Sequence, residues 1–274
     1  MENVKKWLCE QVQVGSNRVH AVPCTLTPEL ANELLSRNID NRNIAQRRVD
    51  IYADDMRAGR WAANGETIVI SREGLLNDGQ HRCQAVVLSG VSIPAMMVFG
   101  VDRDTRTTTN QGKAKGAGDY ASMKGILNAN SVAAIARLAL SYETCGSIEM
   151  TKTSHSSVLQ YIEEHNEELQ EAFRDIGKKW HDRIKLFCST STMSFCYMIC
   201  ARINKSAADE FFMQVCSGEG LLAGDPALVV RNRLMQLGKA RSPKAEVILH
   251  GWNAFRRGEK RTLIRVNGSL PSID

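Results

Sequence analysis

The residues best suited to chemistry lie in one stretch, Gly65 to Ala85, which reads GETIVISREGLLNDGQHRCQA. Within it, Asp78-Gly79-Gln80-His81-Arg82 follows an apolar run and opens a segment of helical character. Glycine at 79 lets the backbone turn sharply and lets a ligand come close. The first amides of a helix starting there have no acceptor inside the helix. They point outward with the positive end of its dipole, which makes a ready anion site. His81 and Arg82 bring side-chain donors to the same place. The fork of Arg82 can hold a phosphate through two bonds, which lysine cannot reproduce, and the donor strength of His81 varies with pH. Asp78 is placed to hold a metal ion or to take a proton from a nucleophile. The same five residues also fit a plainer role, an Asp-Gly helix cap with Arg82 paired to a nearby carboxylate. Spacing alone leaves both open.

The surrounding pattern predicts the elements that would carry this site. Thr67–Ile70 is β-branched and reads as a strand. Ser71–Gly74 reads as a turn and Leu75-Leu76 as the second strand of a hairpin. A helix is expected from about Gln80 to Leu88, stopped by Ser89-Gly90, and another strand over Ile93–Phe99. Upstream, residues 17–22 look like a short strand. Thr27 is placed to cap a helix with Pro28 at its first position and Leu30, Leu34 and Leu35 on its apolar side. Residues 41–61 read as an amphipathic helix, with Ile44, Arg48, Ile51 and Asp55 in one row and Val49, Tyr52 and Met56 beside it, ended by Gly59. From Asn128 onward the periodicity is helical, apart from a strand signal at Thr262–Val266. Between them, Gly112–Gly125 holds four glycines and several lysines, as a flexible basic connector would. The expected class is α+β: a small mixed-sheet domain over 1–115, then an all-helical domain over 126–274.

Composition bounds the rest. The chain has 274 residues, 43% of them hydrophobic and 24% charged, enough for one large domain or two small ones with a real core. Wholesale disorder is excluded, and six prolines with 20 glycines exclude a collagen-like polymer. No run approaches the ~18 apolar residues of a membrane helix, and the opening MENVKKWLCEQVQVGSN lacks the apolar core of a secretory leader. The chain is therefore expected to be soluble and intracellular, with no membrane partner. A formal charge of +5 permits a nucleic-acid or nucleotide partner without demanding one. Ten Lys/Arg against two acids lie between Arg231 and Arg265, and six acids against one base lie in residues 161–175; both runs also fit solvated helix faces. The eight cysteines include no C-x-x-C pair. Cys188, Cys196, Cys200 and Cys216 fit no common zinc spacing and read as reduced, buried residues. His155, His165, His181 and His250 show no metal spacing, and Trp252 with Phe255 reads as a core anchor.

The Asp78–Arg82 string, placed after an apolar strand and a Gly-Glu-Thr-Ile hairpin, resembles the signature of the ParB/sulfiredoxin-like fold. In particular it is similar to phage and plasmid proteins carrying a "ParB-like nuclease domain". Pro94 with the strand 95–99, Val101-Asp102, and the run Asn110 to Lys115 resemble the stretch that follows the motif helix in that family. Asp225-Pro226, Arg231 to Leu234 and Gly251 to Phe255 resemble motifs of its helical part. The resemblance implies a sheet-and-helix domain binding a nucleotide or nucleic-acid phosphate at the motif helix. It also implies a phage or mobile-element setting, hence a bacterial host cytoplasm. Relatives of this fold use it for CTP-dependent DNA segregation, ATP-dependent sulfinic acid reduction, ADP-dependent serine phosphorylation or DNA cleavage, and fold does not choose among these. Sulfiredoxins carry their reactive cysteine just before the His-Arg pair. Here that position is Gln80 and Cys83 follows Arg82, which argues against that chemistry. The Gly-Glu-Arg-Arg pair of segregation proteins is also missing.

On this basis Gly79, Gln80, His81 and Arg82 are the expected phosphate ligands, with Arg48 and Lys113 as further nucleotide contacts and Lys115 beside them. Asp78, Glu66 and His81 are the expected catalytic groups. Two carboxylates near a phosphate would suit Mg2+, with Asp78 its expected ligand. The nucleotide is ATP, ADP or CTP, and the expected chemistry is phosphoryl transfer of NTPase or nuclease type. The alternative is a non-catalytic DNA-binding or regulatory protein whose basic helices, through Arg231, Arg233, Arg256 and Arg257, contact the DNA backbone.

Overall fold

The computed structural model describes residues 2–41, 43–108, 115–149 and 153–273. The protein is α+β, and its chain divides into two compact units, Met1–Ala114 and Lys115–Asp274. Among the described residues, every strand belongs to the first unit.

That unit runs α1 (Glu2–Asn17), β1 (His20–Leu26), α2 (Pro28–Leu35), α3 (Gln46–Arg57), β2 (Thr67–Ser71), β3 (Leu76–Asp78), α4 (Gln80–Ser89), β4 (Ile93–Val101) and a 3-10 turn over Arg103–Thr108. The four strands form one mixed sheet in the order β1-β4-β2-β3. β4 is parallel to β2, and the other two pairings are antiparallel. β4 and β2 are the two interior strands, with Ile93, Met97 and Phe99 buried on β4 and Ile68 and Ile70 on β2. Pro94 of β4 is tolerated because β2 joins only from Met96 onward, leaving β1 as the sole neighbour there. Pro23 lies on the edge strand β1.

Local chemistry accounts for most boundaries. Thr27 accepts from the Leu30 amide at 3.2 Å, and Pro28 is the first residue of α2, as a capped start requires. Gly90, in the left-handed region at φ 71°, ends α4. Several expectations need correction. α1 was not foreseen: Val4, Trp7, Leu8 and Val12 line its packed side, and Trp7 meets Phe99 edge-on at 6.2 Å between ring centres. Because α1 runs to Asn17, β1 begins at His20 rather than residue 17. β3 begins at Leu76, since Leu75 closes the turn by bonding Ser71. The helix expected from residue 41 begins only at Gln46.

The second unit is helical: α5 (Ala117–Met123), α6 (Ala129–Cys145), α7 (His155–Ala172) running into a π-helical stretch (Phe173–Lys178), α8 (His181–Ile184), α9 (Thr190–Ala201), α10 (Lys205–Ser217), α11 (Pro226–Gln236) and α12 (Arg241–Arg256). α9 is buried at every residue from Thr192 to Cys200. A helix apolar on all sides belongs in a core, and α6, α7, α10 and α12 pack around it. Trp252 is fully buried, with Phe211 and Phe255 against it. Part of the expected connector is therefore helix: Ala117 and Ala121 of α5 are buried in this core. The expected strand at 262–266 is irregular chain, with Ile264 buried. Cys188, Cys196, Cys200 and Cys216 are free and buried. No described helix is long and apolar enough to cross a membrane.

Candidate functional site

The five-residue motif sits where the edge strand β3 passes into α4. Asp78 ends β3 opposite Val69 of β2. Gly79 is the helix cap, at φ 108°. That conformation is costly for any residue with a Cβ. A Cβ there would also lie 3.0 Å from Cγ1 of Ile68, so both backbone and packing require glycine.

The structure brings Asp78, Gly79, Gln80, His81 and Arg82 together but turns most of them inward. Arg82 donates through Nη2 to the Thr67 carbonyl at 2.7 Å and lies 3.4 Å from Oδ2 of Asp78. Its guanidinium thus ties the start of β2 to the end of β3, and the carboxylate pairing expected as the plainer role is present. Gln80 is 4% exposed, and its Oε1 accepts from Nδ2 of Asn38 at 3.0 Å. His81 is 7% exposed, and its Nε2 accepts from the Ala45 amide at 3.0 Å. His81 was expected to donate to a ligand; here this nitrogen is an acceptor for its own chain.

The residues that cover the corner were not identified from the sequence. The Leu76 amide donates to the Arg37 carbonyl at 3.0 Å. Asn41 donates to the Leu76 carbonyl and to Oδ1 of Asn38, each at 2.6 Å. Arg103 donates to the Leu76 carbonyl at 3.3 Å, to Oδ1 of Asn77 at 3.0 Å, and to the Ile39 carbonyl. The signal that could have found them is the Asn-Ile-Asp-Asn run at 38–41, since Asn and Asp bond backbone in turns more readily than they continue a helix.

Other expected residues do not join the corner. Glu66 immediately precedes β2 rather than lying on it and is exposed, with its amide on Oδ1 of Asn64. Arg48 is exposed on the first turn of α3. Lys113 lies outside the described residues; Lys115 is exposed and belongs to the second unit. The structure does not bring the two expected Mg2+ carboxylates, Asp78 and Glu66, together. Asp78 is engaged by Arg82, Glu66 is exposed ahead of the strand, and no group of three His, Cys, Asp or Glu suited to a metal occurs among the described residues. No chemical step is assigned through a metal.

No family model matches the chain, and no curated protein or solved structure matches it at a significant level. The likeness to ParB/sulfiredoxin-like proteins stands on the motif residues and their flanks alone.

Cys83, the thiol nearest the motif, is fully buried, and burial pushes its pKa up to about 12. A thiol held protonated in this way is a poor nucleophile, which agrees with the sequence argument against sulfiredoxin-type chemistry.

The basic residues of the second unit are engaged locally. Arg231 donates to the Val215 and Cys216 carbonyls at 2.8 and 3.1 Å and lies over the Phe187 ring, so it closes the end of α10. Arg233 bonds Gln236 at 3.2 Å. Arg256 lies over Trp252 at 5.7 Å, and Arg257 is 4.0 Å from Glu259.

Proposed function

We propose that the first unit binds a phosphate of a nucleotide (ATP, ADP or CTP) or of a nucleic acid at the N-terminal end of α4, in the manner of ParB/sulfiredoxin-like domains. The observation that carries this reading is the entry into α4. The helix starts directly from an edge strand through a left-handed glycine, whose missing side chain cannot cap it. A helix begun this way turns the positive end of its dipole toward whatever lies beyond the strand. Arg82 sits in the first turn, already oriented by the Thr67 carbonyl and Asp78. The likeness of the Asp78–Arg82 motif to the ParB-like family supports the same ligand class.

The reading is one of binding. The pairing of Asp78 with Arg82 favours a positioning role for the carboxylate over that of a base. No observation favours the DNA-binding alternative: Arg231 is turned into its own unit, and Arg257 is paired with Glu259.

The test is a thermal-shift panel of ATP, ADP, CTP, GTP and a short DNA duplex, with and without Mg2+. A ligand that binds only the folded state raises its stability by mass action. At least one should raise the melting temperature of the wild type, and Arg82→Ala should lose that rise. No shift with any of them would remove the proposal. Asp78→Ala separates binding from turnover: a binding domain keeps most of its ligand-induced shift and has no hydrolysis to lose.

A further inference from the structure

The bonds that cover the corner share a layout that goes beyond phosphate binding. Residues 37–41 lie across the β3–α4 junction and are held there almost wholly by polar contacts. Asn38 reaches Gln80, Asn41 reaches the Leu76 carbonyl, and the Leu76 amide reaches the Arg37 carbonyl. Arg103, from the turn after β4, contributes three donor contacts in one fan: to the Ile39 carbonyl on the segment, and to the Leu76 carbonyl and Asn77 beneath it. The segment buries little of its own. Ile39 is 50% exposed, although the rest of the unit offers an apolar core to pack against. Asp40 is in the left-handed region at φ 51°, a conformation that persists in a non-glycine residue only when its surroundings hold it. Few buried apolar contacts and locally strained backbone mark a segment that opens at low cost relative to the whole domain.

We propose that residues 37–41 form a strap that Arg103 latches shut over the N-terminal end of α4, so that a phosphate ligand reaches the corner only when the latch opens. This rests on the phosphate-binding reading and adds its regulation. The burial of Gly79, Gln80 and His81 is then the closed state of the site. Arg103 acts as a positioning residue: its guanidinium bridges the strap and the strand, and releasing it removes the Arg103 bonds to the Ile39 carbonyl and to Oδ1 of Asn77 together.

The experiment uses the full chain as wild type, Arg103→Ala and the milder Asn38→Ala, which removes the contact to Gln80 and the Asn41 bond within the strap but leaves the Arg103 fan in place. Hydrogen exchange is followed over residues 37–41, and the association rate of a fluorescent ATP analogue is measured by stopped flow. The latch predicts at least tenfold faster exchange of the strap in Arg103→Ala, a smaller rise in Asn38→Ala, and association at least threefold faster in the same order. Unchanged exchange in Arg103→Ala overturns the latch. Faster exchange with equal or slower association overturns the gate while leaving phosphate binding standing, because Arg103 would then act as a ligand or a fixed support. If the ATP analogue binds none of the three proteins, the rates are measured with fluorescent ADP, CTP and a labelled short DNA duplex instead; binding of none of these overturns the phosphate reading and the gate together. If Arg103→Ala fails to fold, Asn38→Ala alone decides, by the same two readouts.

Discussion

The Ala45 amide donates to Nε2 of His81 at 3.0 Å. A backbone N–H can only donate, so Nε2 is the unprotonated nitrogen and the closed structure holds a neutral imidazole with its proton on Nδ1. His81→Phe keeps an aromatic ring, slightly larger than imidazole, but leaves the Ala45 amide without this acceptor, which costs about 1–3 kcal/mol. His81→Gln can return an oxygen near the Nε2 position and should lose less than half as much. Urea unfolding of the three proteins checks the order. Equal losses would mean that ring packing rather than this bond fixes the start of α3.

Gly79→Ala should be among the most damaging single substitutions at the corner. It forces a Cβ into the left-handed region, at about 1–2 kcal/mol, and sets it 3.0 Å from Cγ1 and 3.1 Å from Cγ2 of Ile68. Ile68→Val retains both of those carbons, so the double variant should recover nothing. Thermal melts of the two single variants and the pair measure this directly. Recovery in the pair would place the clash farther along the Ile68 chain than the structure does.

The hairpin and motif helix were legible because their signals are local: a β-branched run at 67–70, a Gly74 turn, and glycines at 79 and 90 that stop or start the helix. The Thr27-Pro28 start was legible for the same reason. The strap was not, because Asn38 and Asn41 find their partners at Gln80 and Leu76, far along the chain, and nothing in an Asn-rich turn names a distant acceptor. Charge counting failed in a related way. Arg231 and Arg257 look alike in a basic run, but Arg231 caps the carbonyls of α10 while Arg257 faces solvent beside Glu259. Only packing tells them apart. The β3–α4 corner was therefore readable as a location, and the side chains that cover it were not.

Cys83 gives a pH-dependent prediction. Its thiol is raised from an ordinary value near 9 to about 12 by burial. The unfolded chain therefore releases this proton first as pH rises, and binds fewer protons than the folded chain between those values. Stability then falls with rising pH across that window and is unaffected below it. Cys83→Ala should flatten the decline in melting temperature above pH 9, after allowing for the cost of the lost sulfur. At pH 7.5 a thiol reagent should modify exposed Cys9 and Cys145 at least a hundredfold faster than Cys83, read by peptide mass spectrometry. Comparable labelling would show that the α4 core opens readily.

The end of the chain supplies a sharper case, because a substitution that keeps the size of Glu246 should be almost as harmful as one that truncates it. Glu246 is 1% exposed, and its two carboxylate oxygens accept from the Asn267 and Gly268 amides, the latter at 3.1 Å. Asn253 adds a bond to the Ser272 carbonyl at 2.6 Å. Together they fix an irregular tail onto α12, where sequence pattern suggested a strand. Hydrogen bonds to a charged group contribute about 1.5–3 kcal/mol each, so Glu246→Ala should release the tail. Glu246→Gln keeps the shape and one acceptor but turns an NH2 group toward the second amide, donor against donor. It should release the tail almost as fully. Tryptic cleavage after Arg265, which is exposed within the tail, reads the release, and both variants should be cut at least tenfold faster than wild type. If Glu246→Gln resists trypsin as the wild type does, volume rather than the paired acceptors holds the tail.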